Sequence, residues 1–561
     1  MDVSFQHANP NDGNESFLIR FHDRIRDQTA CVLVDAGPGV DVDSLIDIEN
    51  DEYLAGILLT HAHLDHYATL PENHVQNAPI FGSVETARIL EDVLTEAQAH
   101  HDIGPIDGPL DAIHPIDGWE SIVEGVRVHP VPAGHAPGAA GFLLQFQDNG
   151  TAQTLLATGD FTTRDAAGFR GFTTDLGVEV DAVFLTASTN GDVPATMTDA
   201  VSTALARAQE GSTTLVTAGA LQGVHLATLL AETATRFDVR VPITLVGQTA
   251  TVASRLGYDL PNAEFVETFE DPQACLERGR ITIAGPAVPI DGSAERLFDA
   301  IESDGGATLL QVTSGGLDPV ETASCTVDSF RVSNHPSRET ADEVVEELLP
   351  THVVVVHQTG HGADRYKDSY DSFVWATDDR LEHTLYEDGR WRAPPWVTEH
   401  TERRVRNRTG WNGGRVLADD LTDLEVAPPS VSRRDAIDLD AEGLDVETLE
   451  RRFDDGRDDP GSADASPDRS GTARSDRGDP TGDERETESE TSTVPENHPR
   501  SNLERIESRL ERIEAALDRP DPIEARVISL EDGVLLRPLD ADELRGLEHG
   551  DVVELRVETD R

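Results

Sequence analysis

"THAHLDHYATLP", residues 60–71, is the stretch on which the reading of this chain turns. It packs His61, His63, Asp65 and His66 into six positions, directly after the apolar run "LAGILL". A strand that runs into a loop there lets side chains two apart converge on one centre, while Asp65 and His66 turn towards another. Imidazoles with a carboxylate and no thiolate suit zinc or a similar first-row metal. The other histidines noted, His74, His100, His101, His114, His129 and His225, read as satisfied surface or core residues.

With 561 residues the chain is too long for one core and implies two or three domains. It carries 106 acidic and 45 basic residues, a net charge of −61, and its one lysine is Lys367. An acidic excess spread through well-patterned segments points to an extremely salty cytoplasm, where the Debye length falls to about 3 Å. An ordinary acidic protein with a long disordered tail is the alternative. Cys31, Cys275 and Cys325 are too far apart for a disulfide framework or a CxxC site and read as small buried groups. "MDVSFQHANPNDGNES" has no basic or apolar leader region, and no apolar run approaches the length of a membrane span. The expectation is a cytoplasmic protein without a membrane segment.

Up to about Leu185, short apolar strands alternate with loops, and several strands end in His or Asp: "ACVLVDAG", "AGILLTH", "VRVHPVPAGH", "TLLATGDF". From Ala195 to Thr313 helices and strands alternate, which implies a parallel sheet. "ETADEVVEELLPTHVVVVHQTGH" adds a helix and a buried strand ending in His357. Residues 428–500 are polar and nearly free of aromatics and read as disordered acidic linker. In "LERIESRLERIEAAL", Leu503, Ile506, Leu510, Ile513 and Leu517 fall on coiled-coil positions, with an amphipathic helix docked on its own chain as the alternative. The remainder, 523–559, suggests a small module of two or three strands with a short helix.

"THAHLDH" resembles the signature of the metallo-β-lactamase fold, and further matches follow along the chain. They are Asp35 in "VLVDAGPG", His135 in "PAGHAPGAAGF" and Asp160 in "LLATGDFTTR". The resemblance implies His61, His63 and His135 on one metal, Asp65, His66 and a distant final histidine on another, and Asp160 between them. Asp35 then orients a ligand without being one. Roughly 150 residues separate Asp160 from "FRVSNHPSRETADEVVEELLPTHVVVVHQTG", a spacing similar to that of the β-CASP nucleases, which include the cleavage and polyadenylation nuclease subunit, its archaeal relatives and RNase J. There His335 and His357 lie where the family's motif B and motif C histidines fall. "GRITIAGPAVPIDGSAERLFDAI" and "TLVTAGALQGVHLATLL" resemble parts of the family's inserted domain.

The implied fold is α/β: an αββα sandwich in two parts, 1–190 and 326–427, around a β-CASP-like insert at 191–325. The linker at 428–500, a coiled coil at 501–519 and the small β-rich module follow. The implied activity is dinuclear zinc-dependent hydrolysis of RNA by a metal-bridged hydroxide, with manganese as the alternative metal and DNA as the alternative substrate. Asp65 and Asp160 are catalytic through the metals, and His335 is the general acid. Arg338 is a candidate phosphate contact. In "TERRVRNRTGWNGGRV", Arg403, Arg404, Arg406, Arg408 and Arg415 flank Trp411, charges for phosphates beside a ring for base stacking; an arm bound to the acidic core is the alternative.

The sequence also departs from that family. Motif A places a carboxylate before "ST", where "DAVFLTASTNG" has Ala187. Gln222 stands where a phosphate-contacting base is expected, and motif C reads "VHQ" for "VHG". A silent RNA-binding or regulatory subunit is therefore the second reading, and a hydrolase of a small ester or thioester the third. The coiled coil implies self-association.

Overall fold

In the strand Phe17–Asp23, Phe17, Ile19 and Phe21 enter one buried cluster while Leu18 enters another. The same alternation recurs in Ala140–Asp148, where Phe142, Leu144 and Phe146 oppose Leu143, and in His352–Val356, where Val354 and Val356 oppose Val353 and Val355. Side chains alternate across a strand, so strands apolar on both faces need cover on both. The computed structural model supplies it: two sheets pack face to face, and helices close their outer faces. Phe17 and Phe184 stack between the sheets with ring centroids 4.5 Å apart. Outside, the helix Val84–His100 buries Ile89, Leu90, Val93, Leu94 and Ala97.

The structure describes residues 1–48, 51–101, 103–191, 193–315, 317–367, 369–408 and 427–454, with the strands Ile523–Leu530, Gly533–Pro538 and Leu555–Val557. It divides into two units, Met1–Ala463 and Asp464–Arg561. In the first unit, the eight-stranded sheet runs Arg390–Trp391, His383–Glu387, Asp2–His7, Phe17–Asp23, Gln28–Val34, Glu52–Leu58, Ile80–Ser83, Ile113–Ile116. The seven-stranded sheet runs Phe373–Trp375, His352–Val356, Ala182–Thr186, Thr151–Ala157, Ala140–Asp148, Val126–Pro132, Glu120–Val123. Asp35, His61, His135, Asp160 and His357 each follow the end of one of these strands within three residues.

Ala182–Thr186 and His352–Val356 are parallel neighbours, and the chain leaves and returns between them. The excursion builds a third sheet of six parallel strands, ordered Ala263–Val266, Ile243–Val246, Ile281–Ala284, Thr213–Thr217, Ala307–Thr313, Thr326–Arg331. The last strand corrects the expected boundary at 325: Thr326–Arg331 pairs with Ala307–Thr313, so the return to the sandwich begins after Arg331. Val332–Pro336, carrying His335, then crosses between the layers.

The linker expected from residue 428 is a second correction, for residues 428–454. Leu439, Leu444, Val446 and Leu449 are buried in the core, and the helix Val446–Asp454 packs on Val193–Gln209. Arg434 pairs with Asp165 at 2.6 Å, and Arg433 lies 4.1 Å over the Tyr258 ring. Glu442, 3% exposed, accepts from the backbone N–H of Ala167 (2.8 Å) and Gly168 (2.7 Å) and from His225 Nε2 (2.7 Å). This strap therefore ties the loop beyond Asp160 to the helix Ala220–Arg236. Trp411, Arg415, the coiled-coil residues and the rest of the expected linker lie outside the described residues. In the second unit, Ile523–Leu530 pairs antiparallel with Gly533–Pro538 and parallel with Leu555–Val557.

Cys31, Cys275 and Cys325 are free and buried. Among the described residues no helix is long and apolar enough to cross a membrane. Two buried histidines make the core acid-labile. Burial pushes His7 down to about 4 and His352 down to about 3. Each folds as the neutral ring, so its contribution is complete above the unfolded value near 6.5 and is lost as pH falls towards those folded values. At pH 5 each is expected to cost about 2 kcal/mol relative to pH 7. Denaturant titrations at the two pH values measure it, and His352→Gln should flatten the dependence.

Candidate metal centre

Asp35 has φ +57 and sits where the strand Gln28–Val34 ends. Its carboxylate accepts from the Thr60 N–H and hydroxyl, each at 2.8 Å, and from His66 Nδ1 at 2.7 Å. It thereby fixes the start of the histidine loop and the ring of His66, and no residue of the cluster but His66 touches it in the hydrogen bonds described. The loop is packed closely behind: a Cβ on Gly37 would stand 1.9 Å from Glu15 Oε1 and 2.1 Å from the Asp65 carbonyl oxygen, so only glycine fits. Glu15 is buried there, accepts from Asn9 Nδ2, and is pushed by burial up to about 7. No sequence signal marked it.

Three imidazoles meet edge to edge. His63 Nδ1 lies 2.9 Å from His61 Nε2 and 3.0 Å from His135 Nε2. His135 is aimed by its other nitrogen, which donates to the Asn334 carbonyl at 2.8 Å. Beside this group stands Asp160, 2% exposed. Its Oδ1 accepts from His357 Nδ1 at 2.7 Å, and its Oδ2 lies 3.3 Å from His66 Nε2, 3.5 Å from His335 Nε2 and 3.9 Å from His135 Nε2. Asp65, His66 and His357 bring their ligand atoms within 4.8 Å of one another on the other side. His357 is held there at φ +54 with its N–H donating to the Asn14 carbonyl at 2.6 Å. The structure thus brings together all seven residues expected as ligands, with His335 beside them.

The charges of the cluster follow from this packing. Burial would raise the Asp160 carboxyl, but His357, His335 and His66 hold it well below the carboxylate range. Burial holds His61 and His135 well below the usual imidazole value, and lowers His63 and His335. His66 is raised well above it against burial, by Asp35, Asp65 and Asp160.

The residues fit a divalent cation. With Asp35 on its Nδ1, His66 turns a buried Nε2, without a hydrogen-bond partner among the described residues, towards Asp160 Oδ2 at 3.3 Å. Donors about 2.0–2.1 Å from a tetrahedral ion stand about 3.3 Å apart. The observed separations of 2.9, 3.0 and 3.3 Å lie at that spacing or a few tenths of an ångström below it.

The centre forms the floor of a cleft of ≈ 280 Å³. His63, Asp65, His135, Asp160 and His335 line one side, and Gln222, His225 and Ser314 from the six-stranded layer line the other. Gln222 donates to the Val332 carbonyl at 2.9 Å. Sequence reasoning missed Asn334 and Arg164. Asn334 donates through Nδ2 to the carbonyls of Gly134 and His135, and Arg164 donates to Asn334 Oδ1 at 2.9 Å. Burial lowers Arg164 to about 10. Both stand beside motif residues, in "SNHP" and "GDFTTR", which is the signal that was available.

The expected substrate arginines lie elsewhere. Arg338 donates to Asp342 and to Ser369 Oγ, each at 2.8 Å, with its guanidinium 3.7 Å over the Tyr366 ring. A helix neighbour four residues on and an aromatic face hold it, and it does not line the cleft. On the helix Glu399–Arg408, Arg403 pairs with Glu399, Arg404 with Asp371 and Arg406 with Glu402. None of the three lines the cleft.

Residues 31–216 match the family model of the beta-lactamase superfamily domain. Over 113 residues the chain is 30% identical to the uncharacterized protein sll0514 of Synechocystis sp., covering 19% of this chain and 18% of that protein. The chain thus spans under a fifth of that relative's length. A crystal structure of a protein of unknown function from Enterococcus faecalis V583 superposes with a TM-score of 0.49 at 14% identity, over 68% of this chain and 99% of that one. The matched span holds His61, His63, Asp65, His66, His135 and Asp160, and the chain carries a metallo-β-lactamase superfamily domain.

Proposed function

We propose that this protein is a metal-dependent hydrolase of the β-CASP type that cleaves phosphodiester bonds in single-stranded RNA. The observation that carries the reading is the seven-residue cluster, four of whose members (His63, Asp65, His135 and Asp160) line a cleft walled on its other side by residues of a separate parallel layer. A small ester needs no second layer above the reacting atoms, whereas a chain substrate needs a wall on each side. Bound at such a cluster, a pair of zinc or manganese ions supplies an activated water and charge stabilisation for attack on phosphorus. Asp160 faces both halves of the cluster, and Asp65, more than half exposed, opens onto the cleft. Asp35, Asn334 and the Asn14 carbonyl hold His66, His135 and His357 in their orientations.

Ala187 favours a second reading, a silent RNA binder. Among the described residues no carboxylate meets Nδ1 of His335, which lies 3.1 Å from the Ser188 carbonyl oxygen; the Asp160 carboxylate is on the Nε2 side, at 3.5 Å. A substrate panel separates the readings. In about 2–3 M KCl, chosen for strong screening, we expect metal-dependent cleavage of single-stranded RNA well above that of DNA or of a thioester. RNA retained without turnover would instead establish the binder, and thioester turnover alone the small-molecule enzyme.

A further inference from the structure

His335 is held by its two ring nitrogens in different ways. Nδ1 lies 3.1 Å from the Ser188 carbonyl oxygen, which has no proton to give, so Nδ1–H donates. That bond fixes the neutral tautomer in which Nε2 carries a lone pair, the form in which histidine binds metals. Nε2 faces Asp160 Oδ2 at 3.5 Å. His135 is set the same way: Nδ1 donates to the Asn334 carbonyl, and Nε2 turns to the same carboxylate oxygen at 3.9 Å. The ligand atoms of His135, Asp160 and His335 all lie within 4.8 Å of one another, and all three residues are buried. Three acceptors on buried residues, turned on one point at the edge of the cleft, are met by a positive charge between them.

We propose that His335 is a ligand of the metal centre, in place of the proton donor that the family resemblance implies. The separation supports it: 3.5 Å from Asp160 Oδ2 is close to the spacing of two donors on one ion, about 3.3 Å. Ala187 supports it too. The residue is 1% exposed, and the partner of Nδ1 is the Ser188 carbonyl oxygen at 3.1 Å, so the acceptor a carboxylate would supply there is already present. The segment Val332–Pro336 is fastened on several sides: Arg164 reaches Asn334, Asn190 Nδ2 donates to the Ser333 carbonyl, and Gln222 donates to that of Val332. Such bracing suits a ligand, which must stay within a few tenths of an ångström, better than a group that follows a leaving oxygen. This inference rests on the metal-dependent part of the reading above and is independent of the substrate.

The full chain, stripped of metal and titrated with cobalt(II) against a competing chelator, tests it. Removing a group that merely supports a ligand weakens metal binding about 10–100-fold. His335→Ala is expected to exceed that on one equivalent, with a changed visible spectrum. His335→Glu, whose carboxylate reaches the place of Nε2, should restore binding to within about tenfold. Far-ultraviolet circular dichroism of the metal-free chains reports folding, and His335→Gln, which keeps the side-chain volume, stands in if the alanine variant unfolds. A smaller weakening with the parent's cobalt spectrum would overturn the assignment. A parent chain that binds no cobalt would overturn it together with the metal-dependent reading. RNA left intact by a cobalt-loaded parent would overturn only the substrate.

Discussion

Asp160→Ala is expected to lower RNA hydrolysis by at least about a thousandfold, or about 4 kcal/mol of barrier. The carboxylate lies at 2.7 Å from His357, 3.3 Å from His66, 3.5 Å from His335 and 3.9 Å from His135, so both halves of the cluster lose a partner together. Four imidazole edges would then face one another around an apolar methyl group. Steady-state RNA cleavage at saturating metal measures the loss. Activity within tenfold of the parent would show that Asp160 does not hold the metal centre together.

The second large effect is on stability and comes from outside the matched domain. Glu442→Ala should destabilise the chain by about 3–5 kcal/mol, the cost of breaking a buried polar cluster from one side. It strands the N–H groups of Ala167 and Gly168 and Nε2 of His225, all now within 2.8 Å of the carboxylate. Glu442→Gln keeps an acceptor and should lose less. Denaturant midpoints of the metal-free chain measure both, and a loss under about 1 kcal/mol would show that the strap is peripheral.

These two residues also mark what the sequence made legible. Asp160 could be read because it ends a strong strand in a motif, as His61, His63, Asp65 and His66 do; neighbours in sequence there are neighbours in space. Both-face burial of strands such as His352–Val356 was equally plain from the unbroken "VVVV". Glu442 could not be read. In a chain acidic throughout, low hydropathy no longer separates disordered segments from a strap that docks through scattered apolar side chains, Leu439, Leu444, Val446 and Leu449 the most buried. Nor does any residue type announce the Ser188 and Asn334 carbonyls, since every residue has one. The setting of Arg338 was half legible: Asp342, one helical turn on, was in the sequence, but the Tyr366 face that completes its cage came from tertiary packing.

On the function proposed above, the cluster at the cleft hydrolyses RNA through bound metal. The most direct measurement incubates the full chain with end-labelled single-stranded RNA and zinc or manganese in about 2–3 M KCl, beside Asp65→Ala. A fragment ladder is expected from the parent, lost in Asp65→Ala and lost again when a chelator is added. An equal ladder from both proteins, or intact RNA from a parent shown to hold metal, would contradict it.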